Sequence, residues 1–95
     1  MSDRAMTMVF CYDVSENRTR RRVARMLEDW AVRVQHSVFE ARMGQSAAET
    51  LFNAVSGQLD PGDSLRMYAL SRAGLERCRT AGGAPAPEDG EYWLL

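Results

Sequence analysis

The sequence predicts one α+β domain in which a four-stranded antiparallel sheet carries two helices on one face. The chain has 95 residues, of which 45% are hydrophobic and 26% are charged, the size and composition of a single small globular domain. The spacing of apolar residues alternates between strand and helix periods, and polar turns separate these segments. The predicted order is βαββαβ, which is the ferredoxin-like arrangement.

The first predicted strand runs from Met6 to Asp13 and ends at a polar turn around residues 15–17. Because successive side chains of a strand point to opposite faces, both faces of this strand carry apolar groups and both should be covered. One face holds Met8, Phe10 and Tyr12, and the other holds Val9, Cys11 and Asp13.

The first predicted helix extends from about Asn17 to Trp30 and has the strongest helical periodicity in the chain. Its apolar stripe consists of Val23, Met26, Leu27 and Trp30. A helical projection places a group of arginines opposite this stripe and one more at its border. The opposite group is Arg18, Arg21, Arg22 and Arg25, and the border residue is Arg20.

Two strands and a second helix are predicted next. Residues 32–43 are rich in β-branched side chains and are long enough for two short strands joined by a very tight turn. The second helix is predicted to begin at Ser46, because Ser46 and Glu49 have the spacing of a capping box, and to loosen at Gly57. Its apolar side consists of Ala48, Leu51, Phe52, Val55 and Leu59.

The fourth predicted strand, Ser64 to Leu70, follows a proline-glycine turn at residues 60–63. A short helix that carries Leu75 and Cys78 comes next. We predict that residues 1–81 form the ferredoxin-like domain, and that residues 82–95 form a flexible linker and an additional C-terminal strand or docking tail. The apolar end of this tail is Tyr92, Trp93, Leu94 and Leu95.

The predicted sheet has a second face that two helices cannot cover. The first and fourth strands carry apolar side chains on that face, and a second copy of so small a chain is the simplest partner for it. We therefore expect a homodimer that associates through its sheet faces. A monomer with a partly hydrophobic sheet face is the alternative.

The composition and charge of the chain exclude some classes of function. Twelve cations, all arginine, against thirteen anions give a net charge of -1, so the chain is not a globally basic nucleic-acid binder, although a local basic patch is compatible with it. Without a secretion-signal pattern or an apolar run of roughly 18 residues, we expect a cytoplasmic protein with no membrane partner. Cys11 and Cys78 match no zinc or redox spacing and are expected to be reduced thiols.

Two features carry potential chemistry. Asp13 ends an otherwise apolar strand, and two-fold symmetry in a dimer would bring two such carboxylates together. Mg²⁺ is typically bound by about one or two protein carboxylates, and water and phosphate oxygens fill its other coordination positions. The alternative role of Asp13 is that of a turn former. From Arg18 to Arg42, seven arginines stand against three acids, an excess of positive charge that suits phosphate binding next to a helix N-terminus. A solvated helix face is the alternative interpretation of the same arginines.

Three short segments follow one another along the chain and together form a recognisable pattern: Tyr12 to Ser15, Arg20 to Ala24, and Arg33 to Glu40. The third, Arg-Val-Gln-His-Ser-Val-Phe-Glu, is the most specific of them. This pattern, spread over about residues 8–70, resembles the CRISPR-associated protein 2 family. The resemblance implies a ferredoxin-like homodimer with Mg²⁺-dependent endonuclease activity, Mn²⁺ being the alternative metal. It also implies that Asp13 is the catalytic residue and the metal ligand.

The resemblance further implies a role in spacer acquisition for antiviral defence, in which the homodimer bridges dimers of the CRISPR integrase, CRISPR-associated protein 1. Duplex DNA is the expected nucleic acid, with single-stranded RNA as a second candidate. The nucleic-acid contacts would come from Arg18, Arg20, Arg21, Arg22 and Arg25, and partner docking from Tyr92, Trp93, Leu94 and Leu95. The alternatives are a non-catalytic DNA scaffold, an RNA-cleaving toxin component and a small-molecule regulatory domain.

The chain departs from the family pattern at two places. Ala31 replaces the usual glycine after the first helix, so either a left-handed cap there costs about 1 kcal/mol or the helix ends differently. The usual acidic pair is Glu16-Asn17, which leaves Asp13 as the only metal-ligand match. Among the remaining candidates, His36 is expected in a hairpin or the core, and Trp30, Phe39 and Phe52 are expected in the core.

Overall fold

The computed structural model describes residues 4–83, and the predicted tail from residue 84 onward lies outside this range. Within it, the chain forms three helices and one four-stranded antiparallel sheet with the strand order β2-β3-β1-β4. No helix in this range is long and apolar enough to cross a membrane. The elements are β1 (Met6–Asp13), α1 (Asn17–Glu28), β2 (Val32–Gln35), β3 (Val38–Met43), α2 (Gln45–Ser56), β4 (Ser64–Leu70) and α3 (Arg72–Glu76).

Strand β1 lies in the middle of the sheet and pairs with β3 on one side and β4 on the other. Phe10 is opposite Phe39 of β3 and Met67 of β4. Because directly paired residues share a face, this register assembles one strongly apolar face. The opposite face contains Val9 and Cys11 of β1, and we call it the open face.

The core lies between the apolar face of the sheet and helices α1 and α2. Its large side chains are fully buried, since both helices direct their apolar positions at this face. The predicted stripes of both helices thus meet the predicted face of β1. The fully buried large side chains are Met8, Phe10, Val23, Leu27, Phe39 and Val55.

Helix α1 ends at Glu28, two residues before the predicted end, and the expectation that Trp30 belongs to the core is wrong. Trp30 is 66% exposed. Its backbone N–H and that of Ala31 both bond to the Leu27 carbonyl, so the chain turns out of the helix immediately after the last buried leucine. The C-cap residue Asp29 has φ -68°, and Ala31 therefore needs no left-handed conformation.

Helix α2 begins at Gln45, so the predicted capping box at Ser46 is wrong. Gly44 is the N-cap residue and supplies no side-chain bond, while Ser46 lies inside the first turn. Glu49 instead accepts a hydrogen bond from Gln45 Nε2 at 2.8 Å, one helical turn away. The helix ends at Ser56, and Gly57 is its C-cap residue, close to where the sequence predicted the loosening.

Two turns bring distant segments to the same end of the sheet. The tight turn between β2 and β3 consists of His36 and Ser37. The turn before β4 contains Gly62 at φ 92°, a conformation that glycine adopts without strain, and closes with a 3.0 Å bond from Asp63 N to Asp60 O.

Candidate nucleic-acid and metal interface

Asp13 is exposed at the end of β1, opposite Ser64 of β4. It shares its face with Val9 and Cys11, so it lies on the open face, as strand alternation predicts. Residues 4–83 contain no cluster of three or more His, Cys, Asp or Glu side chains that would hold a metal ion. One chain therefore offers one carboxylate, which fits Mg²⁺ only when water, phosphate or a second copy completes the shell.

Two further acids, Asp60 and Asp63, lie in the turn before β4, whose first residue is paired with Asp13. Both carboxylates already accept hydrogen bonds. The Asp63 carboxylate accepts hydrogen bonds from Asp60 N at 2.9 Å and Ser15 N at 3.3 Å. The Asp60 carboxylate accepts one from Thr19 Oγ1 at 3.1 Å. These bonds tie the turn before β4 to the segment between β1 and α1, and they explain these acids without a metal.

Glu16 is the N-cap residue of helix α1. Its Oε1 accepts a hydrogen bond from Thr19 N at 2.7 Å. That backbone hydrogen bond is the main reason why the pKa of Glu16 lies below its ordinary value. The chain's own carboxylate thus takes up part of the anion-binding capacity of the α1 N-terminus.

The five arginines predicted to bind nucleic acid are all exposed, but two of them have structural contacts. Arg20 Nη1 donates to the carbonyls of Val14 at 2.9 Å and Ser15 at 3.2 Å, and its Nη2 donates to Asn17 Oδ1. Arg22 donates to Gln58 Oε1 at 3.3 Å. Arg20 therefore braces the segment between β1 and α1. The remaining members of the set are Arg18, Arg21 and Arg25.

A hollow of about 380 Å³ separates α1 from the hairpin formed by β2 and β3, and we call it the arginine hollow. It combines helix arginines with two hairpin residues, Arg33 and His36, that the sequence prediction of the nucleic-acid site did not include. Both residues belong to the segment Arg33 to Glu40, which the sequence marked only for its resemblance to a family and not for its charge. The lining residues are Tyr12, Arg20, Arg21, Ala24, Arg25, Glu28, Arg33 and His36.

A larger and mostly apolar hollow of about 680 Å³ lies between the end of α1, the edge of the sheet and α2. Exposed Trp30 and half-buried Met26 line it. Its acidic groups, Glu28 and Asp29, belong to the end of α1. The mostly apolar composition of this hollow suits packing.

The open face is partly apolar, in agreement with the prediction from alternation. Cys11 is half-buried and free, and Tyr68 is 48% exposed. Glu40 lies opposite Val9 on this face, and burial raises the pKa of its carboxyl. Arg66 donates to the hydroxyl of Tyr68 at 3.3 Å. Polar side chains therefore lie among the apolar ones on this face.

The amino-acid sequence is similar to that of known proteins over nearly its whole length. The family model described as CRISPR associated protein Cas2 matches residues 6–78. CRISPR-associated endoribonuclease Cas2 3 of Chloroflexus aurantiacus is 37% identical over 91 residues, which cover 95% of this chain and 98% of the relative. CRISPR-associated endoribonuclease Cas2 2 of a Synechocystis species is 32% identical over 87 residues, with 90% and 94% covered.

Solved structures share the fold. The hypothetical protein TT1823 of Thermus thermophilus superimposes with a TM-score of 0.75 at 30% identity, covering 88% of this chain and 99% of that one. Streptococcus pyogenes Cas2 gives 0.69 at 29% identity, with 81% and 100% covered. A chain of a partial Cas6-RT-Cas1–Cas2 complex gives 0.70 at 24% identity, with 87% and 92% covered, and this likeness concerns the fold alone.

Proposed function

From the premise that this chain belongs to the CRISPR-associated protein Cas2 family, we propose that it is a metal-dependent endonuclease that hydrolyses phosphodiester bonds of nucleic acid as a homodimer. The curated relatives are named endoribonucleases, and this supports RNA as a substrate. Spacer acquisition for antiviral defence is the process that the family implies.

The observation that carries the proposal is the exposed Asp13 carboxylate on the open face. The neighbouring carboxylates of Glu16, Asp60 and Asp63 are held by backbone or side-chain donors, which leaves Asp13 available for a ligand. A second copy packed on the open face would contribute a second Asp13. The pair would form a site that neither chain holds alone.

In this site Asp13 would hold Mg²⁺ or Mn²⁺, and the metal would lower the pKa of a bound water and so supply the nucleophile. Arginines of α1 would hold the phosphate backbone of the substrate, because guanidinium groups pair with phosphate oxygens through two parallel hydrogen bonds. The protein's own contribution is therefore to present one carboxylate per chain on the open face and several exposed cations on α1, which covers the other side of the sheet.

The proposed dimer is a ferredoxin-like sandwich whose two sheets stack through the open faces. Half-buried Val9 and Cys11 and the exposed Tyr68 support this arrangement, since apolar surface gains from leaving water. Tyr92 to Leu95 lie outside the described residues, and their docking onto the partner subunit or the integrase is part of the same proposal.

A second candidate is a non-catalytic scaffold that holds duplex DNA for the integrase, CRISPR-associated protein 1. It is favoured by the position of the free arginines on α1, which packs against the face of the sheet opposite to Asp13. A surface that binds DNA and a surface that holds a metal would then be separate. Loss of Asp13 would leave such a scaffold functional.

The test is cleavage of labelled RNA and DNA by wild-type protein and by Asp13→Asn, with Mg²⁺ and with a chelator. We expect the chelator and Asp13→Asn each to lower the rate by at least about 100-fold, since the metal-bound water would be lost in both cases. Glu76→Gln is the matched control, because Glu76 is an exposed carboxylate in α3 that pairs only with Arg72 within residues 4–83.

The outcome of the same experiment separates the two candidates. Cleavage that survives both the chelator and Asp13→Asn in folded protein would exclude the metal-dependent mechanism. Absence of cleavage in wild-type protein, together with tight duplex binding, would select the scaffold.

A further inference from the structure

We propose that the apolar hollow beside Trp30 is a docking site for a protein partner that presents an amphipathic helix with lysine or arginine beside its apolar stripe. The hollow has a volume of about 680 Å³ and lies between the end of α1, the edge of the sheet and α2. We call it the tryptophan hollow. The inference goes beyond the proposed function, because it involves neither Asp13 nor the arginines of α1.

Trp30 is held at the surface by the backbone that follows α1. Trp30 N donates to the Leu27 carbonyl at 3.0 Å, and Ala31 N donates to the same oxygen at 2.8 Å. This turn fixes the position of residue 30, although its side chain is 66% exposed. An indole on a fixed backbone loses little conformational entropy when a partner covers it, and tryptophan accordingly often dominates the binding energy of an interface.

The wall that α2 contributes leaves room for the side chains of a partner. Its lining residues, at positions i, i+3, i+4 and i+7 of one helical face, are Ala47, Thr50, Leu51 and Ala54. Three of these side chains are small, and half-buried Met43 adds a flexible one that adapts to the shape of a bound surface. An amphipathic helix carries its apolar anchors at the same spacing and therefore fits such a groove.

The charges that line the hollow predict the chemistry of the partner. Glu28 and Asp29 are exposed, and their carboxylates form no hydrogen bond or ion pair with any of residues 4–83. Both lie at the C-terminus of α1, where the unpaired carbonyls of the helix add partial negative charge. Arg42 also lines the hollow, but it already has an interaction of its own. A lysine or arginine of a partner would compensate this accumulation of negative charge.

The chain itself supplies a poor occupant for the hollow. Residues 80–95 contain three acids, Glu88, Asp89 and Glu91, and no cation, so like charges would meet if this segment bound there. A second copy related by two-fold symmetry would use the same surface on both chains and would bring Glu28 and Asp29 of both copies together. The charge therefore favours a partner of different sequence.

The tryptophan hollow would stay accessible in the proposed dimer. It is built mainly from the two helices and the segment that follows α1, whereas the dimer would form through the open face of the sheet. Each dimer would then present two hollows, and a partner would bind there without contacting Asp13. Docking and cleavage should respond separately to mutation.

The test measures how two labelled synthetic helical peptides bind to the full chain, by fluorescence anisotropy. The peptides share one leucine stripe, and their other positions carry either lysine or glutamate. We expect the lysine peptide to bind at least about 10-fold more tightly, because its charge is complementary to that of Glu28 and Asp29. Trp30→Ala should weaken the lysine peptide by at least about 10-fold, since it removes the central aromatic anchor.

Glu28→Gln/Asp29→Asn removes both carboxylates and nearly preserves the shapes of the side chains. We expect it to weaken the lysine peptide by about 5-fold and to make its binding less sensitive to salt. Glu49→Gln/Glu76→Gln is the matched control, because it removes the same charge from two exposed acids that do not line the hollow. Its affinity for the lysine peptide should equal that of wild type.

Equal affinity of folded wild-type protein for the two peptides would overturn the proposal, as would unchanged affinity in Trp30→Ala. Trp93→Ala tests the chain's own C-terminal segment: a gain in affinity for the lysine peptide would show that this segment fills the hollow and would exclude a partner. Sedimentation of Trp30→Ala tests a second copy as the occupant. A dimer that dissociates in this variant would assign the hollow to self-association and would also overturn the proposal.

Discussion

At the scale of single residues, the arginines of α1 divide into those that hold the chain and those that face solvent. Arg20 donates to two backbone carbonyls and to Asn17, whereas Arg18, Arg21 and Arg25 are exposed without such bonds within residues 4–83. The sequence places Arg20 at the border of the apolar stripe, and this position explains why its side chain reaches back to the end of β1. Its structural role was not predicted.

We expect Arg20→Ala to destabilise the protein by about 1 kcal/mol, because two hydrogen bonds from a charged donor to backbone carbonyls are lost at an exposed site. Arg18→Ala should change stability by less than about 0.5 kcal/mol. Urea unfolding of both variants measures the difference. Equal midpoints would show that the bonds of Arg20 contribute nothing to the fold.

The cap on α1 makes stability depend on pH through Glu16. The pKa of folded Glu16 lies below its ordinary value of 4.5 because Thr19 N donates to the carboxylate. The stabilisation is therefore complete above the unfolded pKa and is lost as the pH falls through the folded pKa. We expect Glu16→Gln to be less stable than wild type near pH 7 and equally stable in acid, measured by thermal unfolding across pH.

Glu40 should make stability depend on pH in the direction opposite to that of Glu16. Burial raises its pKa above 4.5, so its contribution is present below the unfolded pKa and is lost as the pH rises through the folded pKa. Subtracting the unfolding curves of Glu40→Gln from those of wild type isolates this dependence. The same sign as for Glu16 would contradict the burial of the Glu40 carboxyl.

At the scale of elements, apolar spacing predicted which segments form helices and strands more reliably than it predicted their ends. The bounds of β1 and β4 agree with the prediction, because alternating apolar runs bordered by turn residues mark both ends. The ends of α1 and α2 differ, since a helix end depends on where the chain must leave its packing partner. For this reason the predictions for Trp30 in the core and for a capping box at Ser46 were wrong.

Leu27 and Trp30 lie on the same predicted apolar stripe, but α1 ends between them at Glu28. We therefore expect their replacement by alanine to lower the stability of the protein by different amounts. Leu27 is fully buried, so Leu27→Ala should cost about 2–5 kcal/mol through lost burial and the cavity left behind. Trp30 is 66% exposed, and Trp30→Ala should cost less than about 1 kcal/mol. Chemical denaturation compares them, and a larger loss for Trp30→Ala would place the indole in the core after all.

At the scale of the whole molecule, the sheet separates two surfaces with different chemistry. The open face carries Asp13 among half-buried apolar groups, and the other side of the sheet is covered by α1 with its exposed arginines. Topology produces this separation, because successive residues at the end of β1 belong to opposite faces. A dimer formed through the open faces would leave both arginine hollows accessible.

Tyr68 and Trp30, the two large exposed hydrophobic residues within positions 4–83, provide a matched test of the dimer. Tyr68→Glu places a charge on the open face and should convert the dimer to a monomer, because an unpaired charge would be buried at the interface. Trp30→Glu lies away from that face and should leave the dimer intact. Sedimentation of both variants decides, and a dimeric Tyr68→Glu protein would exclude the open face as the interface.

The sequence by itself determined the order of elements, the two faces of β1 and the family pattern, because these depend on the spacing of neighbouring side chains. The tertiary structure decided which charged side chains form hydrogen bonds within the protein and which face solvent without them. Asp60 and Thr19, which form a hydrogen bond, are 41 positions apart, and Arg25 and Arg33 line one hollow only because the hairpin packs beside α1. Such distances follow from register and packing of the whole sheet, which no local pattern of residues encodes.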